Sequence, residues 1–331
     1  MPSTLQLEYV CDGEIGAVLD RSRGHLLGAI EFGAAAGGMP VSGTPWARVR
    51  MPVLGASKFV EVWSSDHPTA PFHDFDITGA CTGNLLFGVV EVPQGGNIGA
   101  ATYGVYERIF DCVDQRGFPH LLRLWNYFPG INMPEDGLER YRRFSVGRHE
   151  AFLAHGRTIG RETAAACALG TEEGNLVVYF LAARAPGAAL ENPRQISAYA
   201  YPAQYGPRSP TFSRAMLAGS GGQRTLFISG TASIVGHETV HVGDAAKQLE
   251  ETLANIDALS EQAVGHGMPQ NGPARQLFLK AYLRHAEHFP AVQARLREAF
   301  GSQARIVCLR ADICRTDLLL EIEGVALTSG R

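Results

Sequence analysis

Two glutamates stand two residues apart in the apolar run Leu318-Leu-Leu-Glu-Ile-Glu323. In a strand this spacing puts Glu321 and Glu323, with Leu319, on one face. An acidic residue in such a run either faces water or is a carboxyl whose pKa has been raised by desolvation, and the second kind can donate a proton at neutral pH. Cys314 lies seven residues before Glu321. Cations that could hold an anionic ligand occur in two segments. Leu138-Glu-Arg-Tyr-Arg-Arg-Phe-Ser-Val-Gly-Arg148 concentrates four arginines, most of which suit a solvated helix face, with Arg148 after Gly147 as the exception. In Tyr199-Ala-Tyr-Pro-Ala-Gln-Tyr-Gly-Pro-Arg-Ser-Pro-Thr-Phe-Ser-Arg214, three prolines exclude a regular helix. Tyr201, Tyr205, Arg208 and Arg214 are therefore presented from an ordered loop, the usual place to build a site.

Other motifs carry less. His237-Glu-Thr-Val-His241 matches H-E-x-x-H, but the β-branched residues and the bracketing Gly236 and Gly243 predict a strand or loop before a helix capped by Asp244. Its histidines would then not share a helical face, and no zinc site is expected. Gly219 to Gly222 lacks the lysine of a phosphate loop, and Ser229-Gly230 does not form a nucleophile elbow. The six cysteines form no C-x-x-C pair and read as structural thiols.

The elements that must position these residues can be read from periodicity. Leu85 to Val92 is an apolar strand, followed by a helical pattern through Tyr103, Ile109, Phe110 and Val113, and then by the strand Leu121 to Phe128. The rhythm recurs at Thr225 to Ser229, in the helix carrying Leu249, Leu253, Ile256 and Leu259, and in the strands Val307 to Leu309 and Leu318 to Ile322. An α+β (α/β) sheet with helices on one face, used twice, follows. The breaker-rich segment Arg184-Ala-Pro-Gly-Ala-Ala-Leu-Glu-Asn-Pro193 divides the 331 residues into domains 1–190 and 191–331. A net charge of -4 without a basic block argues against nucleic acid, so an anionic substrate must be held by local arginines. No apolar run reaches the ~18 residues that span a bilayer, and no signal segment is evident, so a cytoplasmic protein without a membrane partner is expected.

Tyr201-Pro-Ala-Gln-Tyr-Gly-Pro-Arg-Ser-Pro210, Phe227-Ile-Ser-Gly-Thr231, the helix start at Gly243-Asp244 and Glu321-Ile-Glu323 are collinear, and together they resemble the RidA (YjgF) superfamily. Asn126-Tyr-Phe-Pro-Gly-Ile-Asn132 and Tyr141-Arg-Arg-Phe-Ser-Val-Gly-Arg148 resemble chorismatases, in which a divergent half precedes a RidA-like half. The resemblance covers essentially the whole chain and is closest to the hydroxybenzoate-forming branch, as in bacterial aryl polyene pigment biosynthesis. It implies two RidA/YjgF-like halves, the second catalytic, and release of pyruvate from chorismate with Glu321 as the acid. An enol ether is cleaved most easily by protonation of its terminal methylene, a task that suits a neutral carboxylic acid.

On the same resemblance, Arg148 and Arg214 hold the two carboxylates of chorismate, Tyr201 and Tyr205 supply hydroxyl donors, and Arg208 is a further substrate-binding arginine. Cys314 favours the aromatic products 3-hydroxybenzoate and 4-hydroxybenzoate. Ala232 lines the same pocket at a position where hydrolytic members also carry alanine. The alternatives are hydrolysis to a 3,4-dihydroxycyclohexa-1,5-dienoate, a RidA-like imine deaminase, and a metabolite-binding protein. The chemistry calls for no metal or organic cofactor. RidA proteins are trimers with sites between subunits, so both a monomer that completes its own site and a trimer are compatible with the chain.

Overall fold

The structure, a computed structural model, describes residues 3–11, 14–34, 44–93, 96–160, 163–220, 222–269 and 275–328. Its middle part runs through the strands Ala70–Asp74, Ile77–Cys81 and Leu85–Val92, helix α2 (Ile98–Gln115), the strand His120–Pro129, helix α3 (Arg140–Ala154), and the strands Ala165–Thr171 and Leu176–Ala183. The C-terminal part repeats this order with Ala188–Leu190, Ala215–Ser220, Gln223–Thr231, α4 (Ala245–Gly265), Arg275–Leu283, α5 (Phe289–Phe300), Arg305–Arg310 and Leu320–Thr328. Pairing repeats as well: Ala165–Thr171 runs parallel to His120–Pro129 as Arg305–Arg310 does to Arg275–Leu283, and the other neighbours within the two repeats are antiparallel.

The unit therefore occurs twice, as the sequence pattern predicts, and a third time in shortened form. Leu5–Cys11, helix α1 (Ile15–Arg21), Leu26–Gly33, Trp46–Arg50 and Lys58–Ser65 make a four-stranded sheet whose spatial order and strand senses match the corresponding part of the other two. Its alternating apolar residues were not distinctive enough to be read from the sequence. The chain enters the third sheet at Ala188–Leu190, within the breaker-rich segment. Val53–Leu54 of the first part pairs with Arg305–Arg310, adding an edge strand to that sheet.

Helices cover the outer faces, and the three inner faces share one core. Phe32, Phe59 and Trp63 from the first sheet meet Phe87, Trp125 and Tyr179 from the second and Phe227, Phe278 and Val325 from the third. Separate apolar layers lie beneath α2 and α3 and beneath α4 and α5. Asn97 caps α2 through the Ala100 amide (2.9 Å), and Asp244 caps α4 through the Lys247 amide (3.0 Å), as its sequence predicts. Helix α3 lies close against α2 because residue 147 is glycine. A Cβ there would sit 2.1 Å from the Gly99 carbonyl oxygen.

At the centre of the shared core lies a charged network. The fourth residues of three corresponding strands, Glu61, Tyr179 and Glu323, converge on Lys280. Lys280 Nζ stands 2.7 Å from Glu61 Oε2, 2.8 Å from Glu323 Oε1 and 2.8 Å from the Tyr179 hydroxyl. Arg123 pairs with Glu323, and the Tyr282 hydroxyl donates to Glu323 Oε1 (2.7 Å). Trp63 Nε1 donates to Glu61 Oε1 (3.0 Å). Two cations thus face two carboxyls, of which Glu61 is pushed above the usual range, first by burial and against the pull of Lys280. Burial would raise the Glu323 carboxyl, but Lys280 and Arg123 outweigh it and hold the pKa below the usual range. A buried ion pair that loses one partner costs about 3–5 kcal/mol. Lys280→Met should therefore lose unfolding free energy on that scale in guanidinium titrations, and an unchanged midpoint would show that the cation is dispensable.

Candidate active site

Glu321 is the second residue of Leu320–Thr328, opposite Tyr282, and only 4% exposed. It borders a cavity of about 220 Å³ that is walled by the start of α3, the proline-rich loop, the end of Gln223–Thr231 and the segment 314–318. Burial first, and then the neighbouring Glu323 charge, push its pKa up to about 8, against weaker opposition from Arg123 and Cys314. The carboxyl is thus mostly protonated at neutral pH. Cys314 Sγ stands 3.9 Å from Glu321 Oε2. Its thiol is pushed up to about 12, mainly by burial and next by Glu321, so it stays protonated and donates toward the carboxyl.

The backbone opposite Glu321 is shaped to admit it. Strand register slips between Ile228 and Thr231, and a Cβ at Gly230 would lie 2.0 Å from Glu321 Oε1 and 3.3 Å from Cys167 Cβ. Beside it, Ser229 Oγ donates to the Ser213 carbonyl (2.6 Å) and accepts from the Ala166 amide (2.9 Å), fixing this strand to the second sheet. Ala232 continues the wall.

The loop supplies the polar wall. Tyr201 and Tyr205 pack with ring centroids 5.3 Å apart. Arg214 donates from Nη2 to the Ile196 carbonyl and to the Tyr201 hydroxyl, both at 2.7 Å, and lies over the rings of Tyr201 and Phe212. Arg315 lies 4.1 Å from the Tyr205 centroid and donates to the His237 carbonyl (2.9 Å). The H-E-x-x-H segment is a hairpin, Ile234–Val235 against Glu238–Thr239, turning at Gly236 with φ +60°. His237 Nδ1 meets the Tyr205 hydroxyl at 3.0 Å, while His241 faces Glu251. Among the described residues no group of three His, Cys, Asp or Glu side chains could hold a metal ion.

Six of the eight residues singled out from the sequence line this one cavity: Glu321, Cys314, Tyr201, Tyr205, Arg214 and Ala232. Arg208 does not. It is exposed on the outer side of the loop, where its charge bears on His149. Arg148 is not on the lining either. Helix α3 turns it inward, 1% exposed, with its guanidinium 5.0 Å from the Phe144 ring centroid and its charge felt by Tyr141, which does line the cavity. Neither Arg148 nor Arg214 makes an ion pair with a carboxylate among the described residues, and the Nε of each is buried without a hydrogen-bond partner, although the Arg214 charge acts on the buried Glu191 carboxyl. Glu139, Tyr141, Arg142, Phe212, Gly230 and Arg315 also line the site and were not picked out. The signal for Arg315 was its place next to Cys314, and that for Tyr141 its place in the segment ending at Arg148.

One small cavity thus joins a buried carboxyl of raised pKa to a buried guanidinium and two tyrosines. Residues 61–182 match the family model described as Chorismatase FkbO/Hyg5-like, N-terminal. A chorismatase of Streptomyces rapamycinicus is 42% identical over 309 residues, covering 91% of this chain and 92% of the relative. A 3-hydroxybenzoate synthase of Streptomyces hygroscopicus is 39% identical over 296 residues, 86% of each chain. A chorismatase crystal structure superposes with a TM-score of 0.89 at 35% identity, covering 99% of both chains. The chain belongs to the chorismatase family.

Gly230→Ala tests the close approach to Glu321. The added methyl should displace the carboxyl, lowering kcat about tenfold or more while the melting temperature changes little. A variant with wild-type kcat would show that the carboxyl has room to spare.

Proposed function

We propose that the protein converts chorismate to 3-hydroxybenzoate and pyruvate, with 4-hydroxybenzoate as a lesser product, and that Glu321 is the proton donor. The observation that carries this reading is the protonated Glu321 carboxyl in a cavity that Arg214 lines, with Arg148 buried behind the Tyr141 wall, neither arginine forming an ion pair among the described residues. A buried guanidinium that makes no ion pair can take up a ligand carboxylate, and chorismate brings two. The 3-hydroxybenzoate synthase relative supports the choice of product.

The Glu321 proton adds to the enolpyruvyl methylene carbon, making it a methyl group and placing positive charge on the carbon that bears the ether oxygen. The carboxylate left behind stabilises this cation across a site from which bulk water is largely excluded. When the ring carbon–oxygen bond breaks, its electron pair becomes part of the pyruvate carbonyl. The neighbouring ring hydroxyl takes the vacated position as an arene oxide, which opens to 3-hydroxybenzoate. Loss of the ring hydrogen at the carbon that bears the hydroxyl, after the ether oxygen has left its neighbour, gives 4-hydroxybenzoate instead. One proton is returned to Glu321 and no water is consumed. Cys314, held against the carboxyl as a neutral thiol, and Ala232 leave a largely apolar wall beside the cation, which disfavours capture by water. Tyr201, fixed by Arg214, supplies a hydroxyl toward the ligand.

Purified protein incubated with chorismate alone should release pyruvate equal in amount to 3- and 4-hydroxybenzoate together, with 3-hydroxybenzoate in excess. Glu321→Gln should lose about 10²–10⁴-fold in kcat. Unchanged chorismate would overturn the reading, and a dihydrodiol product would remove Cys314 from its role. Because the donor must carry its proton, kcat/KM should hold below pH 8 and fall about tenfold per unit above the pKa of about 8. A profile that rises through pH 8 would mean that Glu321 acts as a base.

A further inference from the structure

We propose that the buried quartet Arg123, Lys280, Glu61 and Glu323 sets the charge that the Glu321 carboxyl faces, making Glu323 and, through Lys280, the remote Glu61 positioning residues for the acid. Glu321 and Glu323 point into the same core from one strand face, about 7 Å apart along the strand. Glu323 cannot turn away or take up a proton readily, because Arg123, Lys280 and the Tyr282 hydroxyl all hold its charged form. Glu61 lines no part of the cavity, yet it shares the Lys280 ammonium with Glu323 at nearly equal distances, 2.7 and 2.8 Å. Lys280 divided in this way offsets less of the Glu323 charge than an undivided ammonium would. At Glu321 the Glu323 charge outweighs that of Arg123.

The other groups that face Glu321 do not supply this negative field. Cys314 and Cys167 are buried neutral thiols, and burial likewise raises the Tyr141 hydroxyl. Arg123, Arg214 and Arg315 would favour the ionised carboxyl. Among the carboxylates that border the cavity, Glu139 is engaged by Arg142 and Asn132, and Asp317 accepts from Thr239. Glu323 is left as the buried anion acting on the acid.

The catalytic consequence rests on Glu321 being the proton donor, but the coupling can be measured without substrate. Infrared titration of the Glu321 carboxyl in protein carrying ¹³C-labelled glutamate, with Glu321→Gln as the blank, reads its protonation directly. Glu323→Gln should move that titration down by on the order of one pH unit, and Glu61→Gln should move it down by less. Melting curves establish that each variant is folded. If Glu323→Gln does not fold, Glu61→Gln decides alone, since an amide at that position still accepts from Trp63 Nε1. Folded variants that titrate at the wild-type pH or above it would overturn the proposal. If the carboxyl titration moves but the alkaline limb of kcat/KM stays in place, the assignment of Glu321 as the acid fails while the coupling stands.

Discussion

Lys280 is bound to two carboxylates from different sheets, and the centre of the molecule is organised around that ammonium ion. Removing an ion from water costs several kcal/mol even in a relaxed protein interior, and the interior recovers this only when geometry and further hydrogen bonds are good. Here the compensation requires all three sheets: Glu61 from the first, Tyr179 and Arg123 from the second, Lys280, Tyr282 and Glu323 from the third. A displacement of any sheet relative to the others would strand a buried charge. The network therefore ties the sheets into one register as well as contributing to their stability.

That register is what the cavity needs. Glu321 projects from the same face of its strand two residues before Glu323, so whatever fixes Glu323 fixes the backbone of Glu321. The surrounding pieces are then brought in by separate devices. The Ser229 hydroxyl joins the third sheet to the second, the absence of a side chain at Gly230 makes room for the carboxyl, and the prolines of the loop hold Tyr201 and Tyr205 against Arg214 and Arg315.

Much of this was legible in the sequence where a local pattern had one structural solution. The strand–helix–strand rhythm, the Asp244 cap, the non-helical histidine segment and the shared face of Glu321 and Glu323 follow from periodicity and turn chemistry. The first sheet was hidden because its strands carry no helix-to-strand contrast as marked as in the other two. The network was invisible for a different reason. Its members are separated by up to 262 positions, and a lone lysine in the strand Arg275–Leu283 looks like a surface residue until its partners from distant strands are superposed. Arginines are similarly ambiguous along the chain: Arg148 and Arg208 have the same side chain and similar local contexts, but helix geometry buries one and a proline-bounded turn exposes the other.

The threefold repetition is carried on a single polypeptide, and this changes which substitutions the interior can accept. In a ring of identical subunits any substitution appears three times around the axis, so an uncompensated carboxyl facing the centre would meet two copies of itself. Here the residues at the second position of the three corresponding strands are Phe59, Val177 and Glu321. Two of them are apolar and fill space, which lets the third be an acid without like-charged counterparts at the same height. Freed from symmetry, one repeat holds a buried carboxyl at a height where the other two place apolar side chains.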